Sequence, residues 1–296
     1  MKVRIIILTN IIILLFFNSV NAKPLNIYIK EANIFYEDSL NSVARETAGK
    51  LPSIIKELEE SLGLRMNSSP MIFLIKGSSN FRKTTGSDLI VAYAIPIKNS
   101  VFIDTSRVFT KPFNLETTLK HELCHIMLHQ NIDDSNLPRW FDEGICQWVS
   151  GGISEIISNQ DNNVLEKAIL SDKLISFQSL YRFPEERNSV LLAYQESKSF
   201  IEYISEKYGD NVLRKIIKNL SSGRNINESF HENISISLYQ LEQNWQSSLK
   251  KKHTWFLYLS NNIYTIIFLF LSILTIYGFY RLIKRKREYK DEEEIE

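Results

Sequence analysis

The stretch "TLKHELCHIMLHQ", residues 118–130, contains the pattern H-E-x-x-H, running from His121 through Glu122 to His125. Just upstream, Asn114 is suited to a helix N-cap and Glu116 to a first turn, while Leu115, Leu119, Cys124, Ile126 and Met127 supply apolar faces. Together they predict a buried or half-buried helix over residues 115–130. Residues four apart on a helix lie one above the other, about 6 Å apart in rise, so His121 and His125 point to the same side and are placed to hold one ion. His129 continues the spacing, but it stands roughly 12 Å from His121 along the axis, whereas each Zn–N bond is about 2.0 Å long. It is therefore read as a neighbour or a polar surface residue.

Catalytic zinc typically takes three ligands from the protein and keeps a position for water. The metzincin spacing would need Gly at 128 and His at 131, where this chain has Leu128 and Asn131, so that group is excluded. A third ligand is offered by "LPRWFDEGICQWVSGG", residues 137–152. Pro138 suits the first turn of a new helix, which places Glu143 in the second turn, able to lean a carboxylate toward the histidine pair. Gln147, one turn on, is read either as a hydrogen-bond partner of a ligand histidine or as an exposed glutamine, and Asp142 carries the same two readings. Trp140 and Trp148 are expected in the core. Cys124 and Cys146, the two cysteines of the chain, each sit inside a metal-binding segment, the first on the His helix and the second one turn past Glu143. Two separate buried thiols are the expectation here, with a disulfide as the alternative.

Upstream, "LNIYIKEANIFY" (25–36) reads as a strand, 39–63 as a helix broken at Pro52, and "MIFLIK" (71–76), "LIVAYAIP" (89–96) and "SVFIDT" (100–105) as three more strands. From Asn114 onward nearly everything reads as helix. The expected class is α+β: a small N-terminal sheet with the HExxH helix, then a mostly helical C-terminal half.

The two ends read differently. Residues 1–22 combine Lys2 and Arg4, an apolar run from Ile5 to Phe17 and the small-residue site Val20-Asn21-Ala22, the pattern of a secretory signal peptide. Residues 255–280 carry no charge, and 263–280 would cover roughly 27 Å as a helix, so they are expected to span a membrane once. The basic run Arg281, Lys284, Arg285, Lys286, Arg287, Lys290 outnumbers the Lys250–Lys252 cluster, which puts the tail, 281–296, in the cytoplasm. Residues 23–254 then form one extracytoplasmic domain of a type I membrane protein. The net charge of +1 gives no footprint for nucleic acid as a partner.

The HELCH stretch followed by Trp-Phe-Asp-Glu-Gly resembles the gluzincin metallopeptidases, and more narrowly the peptidase MA-like or minigluzincin proteins. "PMIFLIKGSSNFRKTTG" is similar to that family's strand and following turn, "LLAYQESKSFIEYISEKYG" to its A-Y-x-x-S helix, and "ISLYQLEQNWQSSLKK" to its final helix. The resemblance covers most of residues 25–251 and implies a zincin-like fold and one zinc ion. His121, His125 and Glu143 would be the ligands, Glu122 the general base, and a peptide or protein the substrate. The G-x-M-E-N signature of the related aminopeptidases is absent, so the resemblance implies an endopeptidase. It also implies that "VAYAIPIKNSVFID" (91–104) provides an edge to which substrate pairs; the plain alternative is an ordinary sheet strand. Tyr194, at the A-Y-x-x-S position, is the candidate donor to a developing oxyanion, against a plain core tyrosine. His231 has nothing to bring it near the cleft. The competing function is a zinc-containing ectodomain that binds or scaffolds without turnover. Intramembrane cleavage is excluded because the motif lies outside the spanning segment.

Overall fold

The computed structural model describes residues 25–85, 90–151 and 164–293. The expected signal peptide lies outside them. The chain divides into two units, Met1–Trp245 and Gln246–Glu296. The first opens with β1 (Leu25–Tyr28), β2 (Asn33–Tyr36), α1 (Asn41–Leu62), β3 (Met71–Ile75), α2 (Ser78–Thr85), β4 (Ala92–Ile95) and β5 (Ser100–Asp104). Helices follow: α3 (Leu115–Asn131), α4 (Arg139–Ser150), α5 (Val164–Ser171), α6 (Arg187–Tyr208), α7 (Asp210–Ser221) and α8 (Ile226–Ile234). The last helix, α9 (Leu238–Glu293), begins in the first unit and makes up most of the second. The class is α+β, as the hydrophobic periodicities imply.

The sheet order is β1-β2-β3-β5-β4. The central pairs, β2 with β3 and β3 with β5, are parallel, and the two outer pairs are antiparallel. Register puts Phe35 beside Phe73, Phe73 beside Phe102 and Tyr93 beside Phe102. Side chains alternate between faces, so this register builds a row of stacked rings 4.8–4.9 Å apart on one face, which Phe81 of α2 covers. The alternate residues Ile34, Ile72, Leu74, Val101 and Ile103 are fully buried, and α1 and α3 pack against the sheet.

Two local readings are corrected. Residues 25–36 are a hairpin of two strands, because the chain reverses where Ile29 N–H bonds Ala32 O at 3.0 Å; the turn Ile29-Lys30-Glu31-Ala32 lacks the Gly, Pro, Asn or Asp that would announce it. Helix α1 runs unbroken through Pro52. Pro52 forfeits one main-chain hydrogen bond, but its ring faces solvent while Leu51, Ile54, Ile55 and Leu58 are buried, and burial at about 1.5–3 kcal/mol per large apolar side chain outweighs that loss. Helix α2 falls in a segment read as a turn.

In the helical half, an aromatic core of Trp140, Phe177, Phe200, Phe230 and Trp245 has ring centroids 4.2–6.2 Å apart. Trp140 is fully buried as expected, whereas Trp148 is half-buried. In the second unit, Ile263–Arg285 is long and apolar enough to cross a membrane, with a mean hydropathy of 2.1. Large side chains along it, Phe268, Phe270 and Phe279 among them, are exposed.

Candidate metal centre

Helix α3 starts where the sequence predicts. The Asn114 side chain accepts from Thr117 N–H at 2.8 Å, capping the first turn. Ten of its residues are buried, including His121, Glu122 and His125. Helix α4 begins at Arg139 with Pro138 as its N-cap, which leaves Glu143 in the second turn.

Three donors from these two helices converge. His121 Nε2 and His125 Nε2 lie 3.2 Å apart, and Glu143 Oε2 lies 3.8 Å from the first and 3.5 Å from the second. Zinc bonds of about 2.0–2.2 Å at tetrahedral angles require donors roughly 3.3–3.6 Å apart. The triangle fits one such ion. Glu143 Oε2 is moreover buried without a hydrogen-bond partner, a costly state for a carboxylate oxygen unless a cation is its partner.

A second group, His125, Asp142 and Cys146, also has converging donors. Cys146, however, is joined to Cys124 in a disulfide with 5.4 Å between Cα atoms, so it offers no thiolate. This overturns the expectation of two separate thiols: α3 and α4 pack side by side, a juxtaposition that spacing along the chain does not reveal. Asp142 instead serves the first triangle. Its Oδ1 receives His125 Nδ1 at 2.8 Å and its Oδ2 meets His129 Nε2 at 3.1 Å, while His129 Nδ1 meets Asp134 Oδ1 at 2.6 Å. With Nδ1 held by Asp142, Nε2 is the His125 nitrogen that faces the triangle. Burial opposes a charged His125 ring, but Asp142 and Glu143 outweigh it and raise its pKa well above the usual histidine value. Burial likewise opposes the Asp142 carboxylate, and His125 and His129 more than offset it, holding its pKa far below the usual range.

Gln147 takes neither expected role. It is buried, and its amide donates to Glu143 O at 3.2 Å and Tyr194 O at 3.1 Å, bridging α4 and α6. The Tyr194 hydroxyl donates to Glu143 Oε1 at 3.2 Å, while its ring packs with Leu191, Val190 and Phe183. Arg139 adds a contact from Nη2 to the same Oε1 at 3.4 Å and lies over the Phe183 ring at 5.1 Å. Sequence reasoning did not single out Arg139 or Phe183; the turn spacing from Arg139 to Glu143 is the signal that was present. His231 is exposed on α8.

Beside the triangle runs a cleft of about 210 Å³ whose walls include Val91 and Ala92 at β4, Phe113, Thr118, His121 and Glu122. Glu122 is buried and lines this cleft without belonging to the converging donors. β4 stands at one end of the sheet order, so one of its edges has no strand partner among the described residues.

Residues 90–251, more than half of the chain, match the Peptidase MA superfamily. The chain belongs to that superfamily. The Peptidase MA match begins just before β4 and contains every residue of the triangle, the cleft helix and α6. It supports a peptidase-like enzyme, and Peptidase MA proteins are generally zinc-dependent. A protein of Bacillus subtilis (strain 168), YhcO, itself uncharacterised, is 22% identical over 138 residues, which is 45% of this chain. The chain spans 41% of the length of that relative.

Proposed function

We propose that this chain is a membrane-anchored zinc endopeptidase of the gluzincin type, akin to the minigluzincins, acting on peptides or proteins. The observation that carries the reading is the triangle of His121 Nε2, His125 Nε2 and Glu143 Oε2, the last a buried carboxylate oxygen without a hydrogen bond. His121, His125 and Glu143 hold one zinc ion per chain. Zinc bound there supplies a bound water of lowered pKa and polarises the substrate carbonyl. Glu122, in the cleft wall beside His121, takes the proton of the attacking water and passes it to the leaving amine nitrogen, which balances the hydrolysis. The edge of β4 that has no strand partner among the described residues offers main-chain hydrogen bonds to an extended peptide.

The domain reading accompanies this proposal: a signal peptide over 1–22, an extracytoplasmic peptidase domain over 23–254, a span over 255–280 and a cytoplasmic tail over 281–296. The exposed apolar stretch at Ile263–Arg285 supports the anchor.

Purified full-length Glu122→Ala tests the assignment. Hydrolysis of a mixed peptide library is expected to stop while zinc stays near one per chain; loss of zinc in this variant would make Glu122 a ligand and sink the mechanism. Zinc in the unaltered protein with no cleavage of any peptide would mark a binding ectodomain instead.

A further inference from the structure

Glu143 is built to show one oxygen to the histidine pair and to keep the other away from it. Its Oε1 is taken by the Tyr194 hydroxyl at 3.2 Å, with Arg139 Nη2 at 3.4 Å on the same atom. Its Oε2 has no hydrogen bond and faces both ring nitrogens. We infer that Tyr194 is a positioning residue that acts on zinc binding through Glu143, fixing that carboxylate as a one-oxygen ligand. The inference rests on the zinc reading above and assigns the phenol to the carboxylate rather than to the substrate.

The surroundings hold Tyr194 in that place. Gln147 ties the Tyr194 carbonyl and the Glu143 carbonyl together through one amide group. Gly144, beside Glu143, lets α6 approach so closely that a Cβ there would sit 2.7 Å from Ser197 O. Phe183 meets the Tyr194 ring edge-on at 5.0 Å and is itself covered by Arg139. A carboxylate whose second oxygen already accepts a hydrogen bond has fewer orientations to lose when a metal binds, and outer partners of this kind typically change metal affinity by 10–100-fold. The phenol donates without adding charge, so its effect on a dication is orientation and not repulsion. Arg139 is half exposed, which screens its charge.

The test is Tyr194→Phe in the full-length protein in detergent, which keeps the ring and removes the donor. Zinc affinity is read by competition with a chromogenic chelator, and thermal unfolding of the zinc-stripped protein is followed in parallel. The expected result is a zinc Kd raised about tenfold or more with the melting temperature of the stripped protein unchanged. An unchanged Kd with a fall in kcat at saturating zinc would overturn the inference and give the hydroxyl to the substrate. A raised Kd accompanied by a matching loss of stability of the stripped protein would overturn it too, since that assigns the hydroxyl to packing. Absence of zinc binding by the unaltered protein would instead bring down the zinc reading on which the inference stands.

Discussion

At the scale of single residues, Asp142 has the most demanding position. It is a buried carboxylate, and it serves two histidines at once, at 2.8 Å and 3.1 Å. The first contact fixes which His125 nitrogen faces the triangle, and the second continues through His129 to Asp134 near the surface. Asp142→Asn keeps the shape but removes the charge and leaves a single acceptor oxygen, which cannot serve both His125 and His129. Such partners typically contribute 10–100-fold in metal affinity, so zinc Kd is expected to rise by about that factor. Competition against a chelator measures it, and an affinity equal to that of the unaltered protein would reduce Asp142 to a structural carboxylate. The neighbouring Glu143 was legible in the sequence because a downstream Glu-Gly after HExxH has a recognised meaning. Asp142 was legible only as one of two readings, a hydrogen-bond partner of a ligand histidine or an exposed carboxylate, because the choice depends on where α3 lies.

At the scale of elements, the site is the contact line of α3, α4 and α6. The Cys124–Cys146 disulfide joins the first two across 22 residues of chain. Gly144 sets the distance between the second and third. An added methyl would meet Ser197 O and Ile201 Cγ1, both at 2.7 Å, and a main-chain oxygen cannot swing aside as a side-chain tip can. Gly144→Ala is therefore expected to push α4 and α6 apart and to cost about 1–3 kcal/mol, the usual range for overpacking. Urea unfolding of the metal-free protein reads the cost directly. A stability within 0.5 kcal/mol of the unaltered protein, a margin typical of surface changes, would mean the helices have room to spare. The same contact explains why Gly follows Glu here: close approach demands it, since the position is helical and has no need of positive φ.

At the scale of the whole domain, two buried acids tie the segment before α6 to the aromatic core. Glu196 Oε1 accepts from Ile175 N at 3.0 Å, and Glu242 Oε1 accepts from Phe177 N at 3.2 Å. Phe177 then stacks against Trp140, Phe200 and Trp245. Glu196 is fully buried. Burial pushes its pKa up from 4.5 to about 8, the Ile175 N–H works against this and the Glu242 charge adds to it. Burial also raises Glu242. A carboxyl whose pKa is higher folded than unfolded binds its proton more tightly in the native state. Its contribution is complete below the unfolded value and is lost as pH rises through the folded one, here between pH 4.5 and about 8. Glu196→Gln cannot ionise, so the difference in unfolding free energy between variant and parent, read by urea unfolding, is expected to grow in favour of the variant from pH 5 to pH 9, to on the order of a few kcal/mol at the upper end. A difference that stays flat across that range would show that Glu196 ionises as an ordinary surface carboxyl does.

Local patterns were enough for the α+β class, the α3 cap at Asn114, the shared side of His121 and His125 and the apolar stretch near the C-terminus, because each depends on the period of a helix or strand and on neighbours within a few residues. The hairpin at 29–32 and the continuity of α1 through Pro52 were decided by burial in the assembled sheet and helix layer, which local turn and breaker rules do not include. The disulfide, the Asp142 chain, the Gln147 bridge and the Tyr194 hydrogen bond were decided by tertiary structure alone. Each has a link between different helices, 13 to 51 positions apart for those hydrogen bonds, and a hydrogen bond or a sulfur–sulfur bond forms only over a few ångströms, a distance that packing sets and sequence spacing does not.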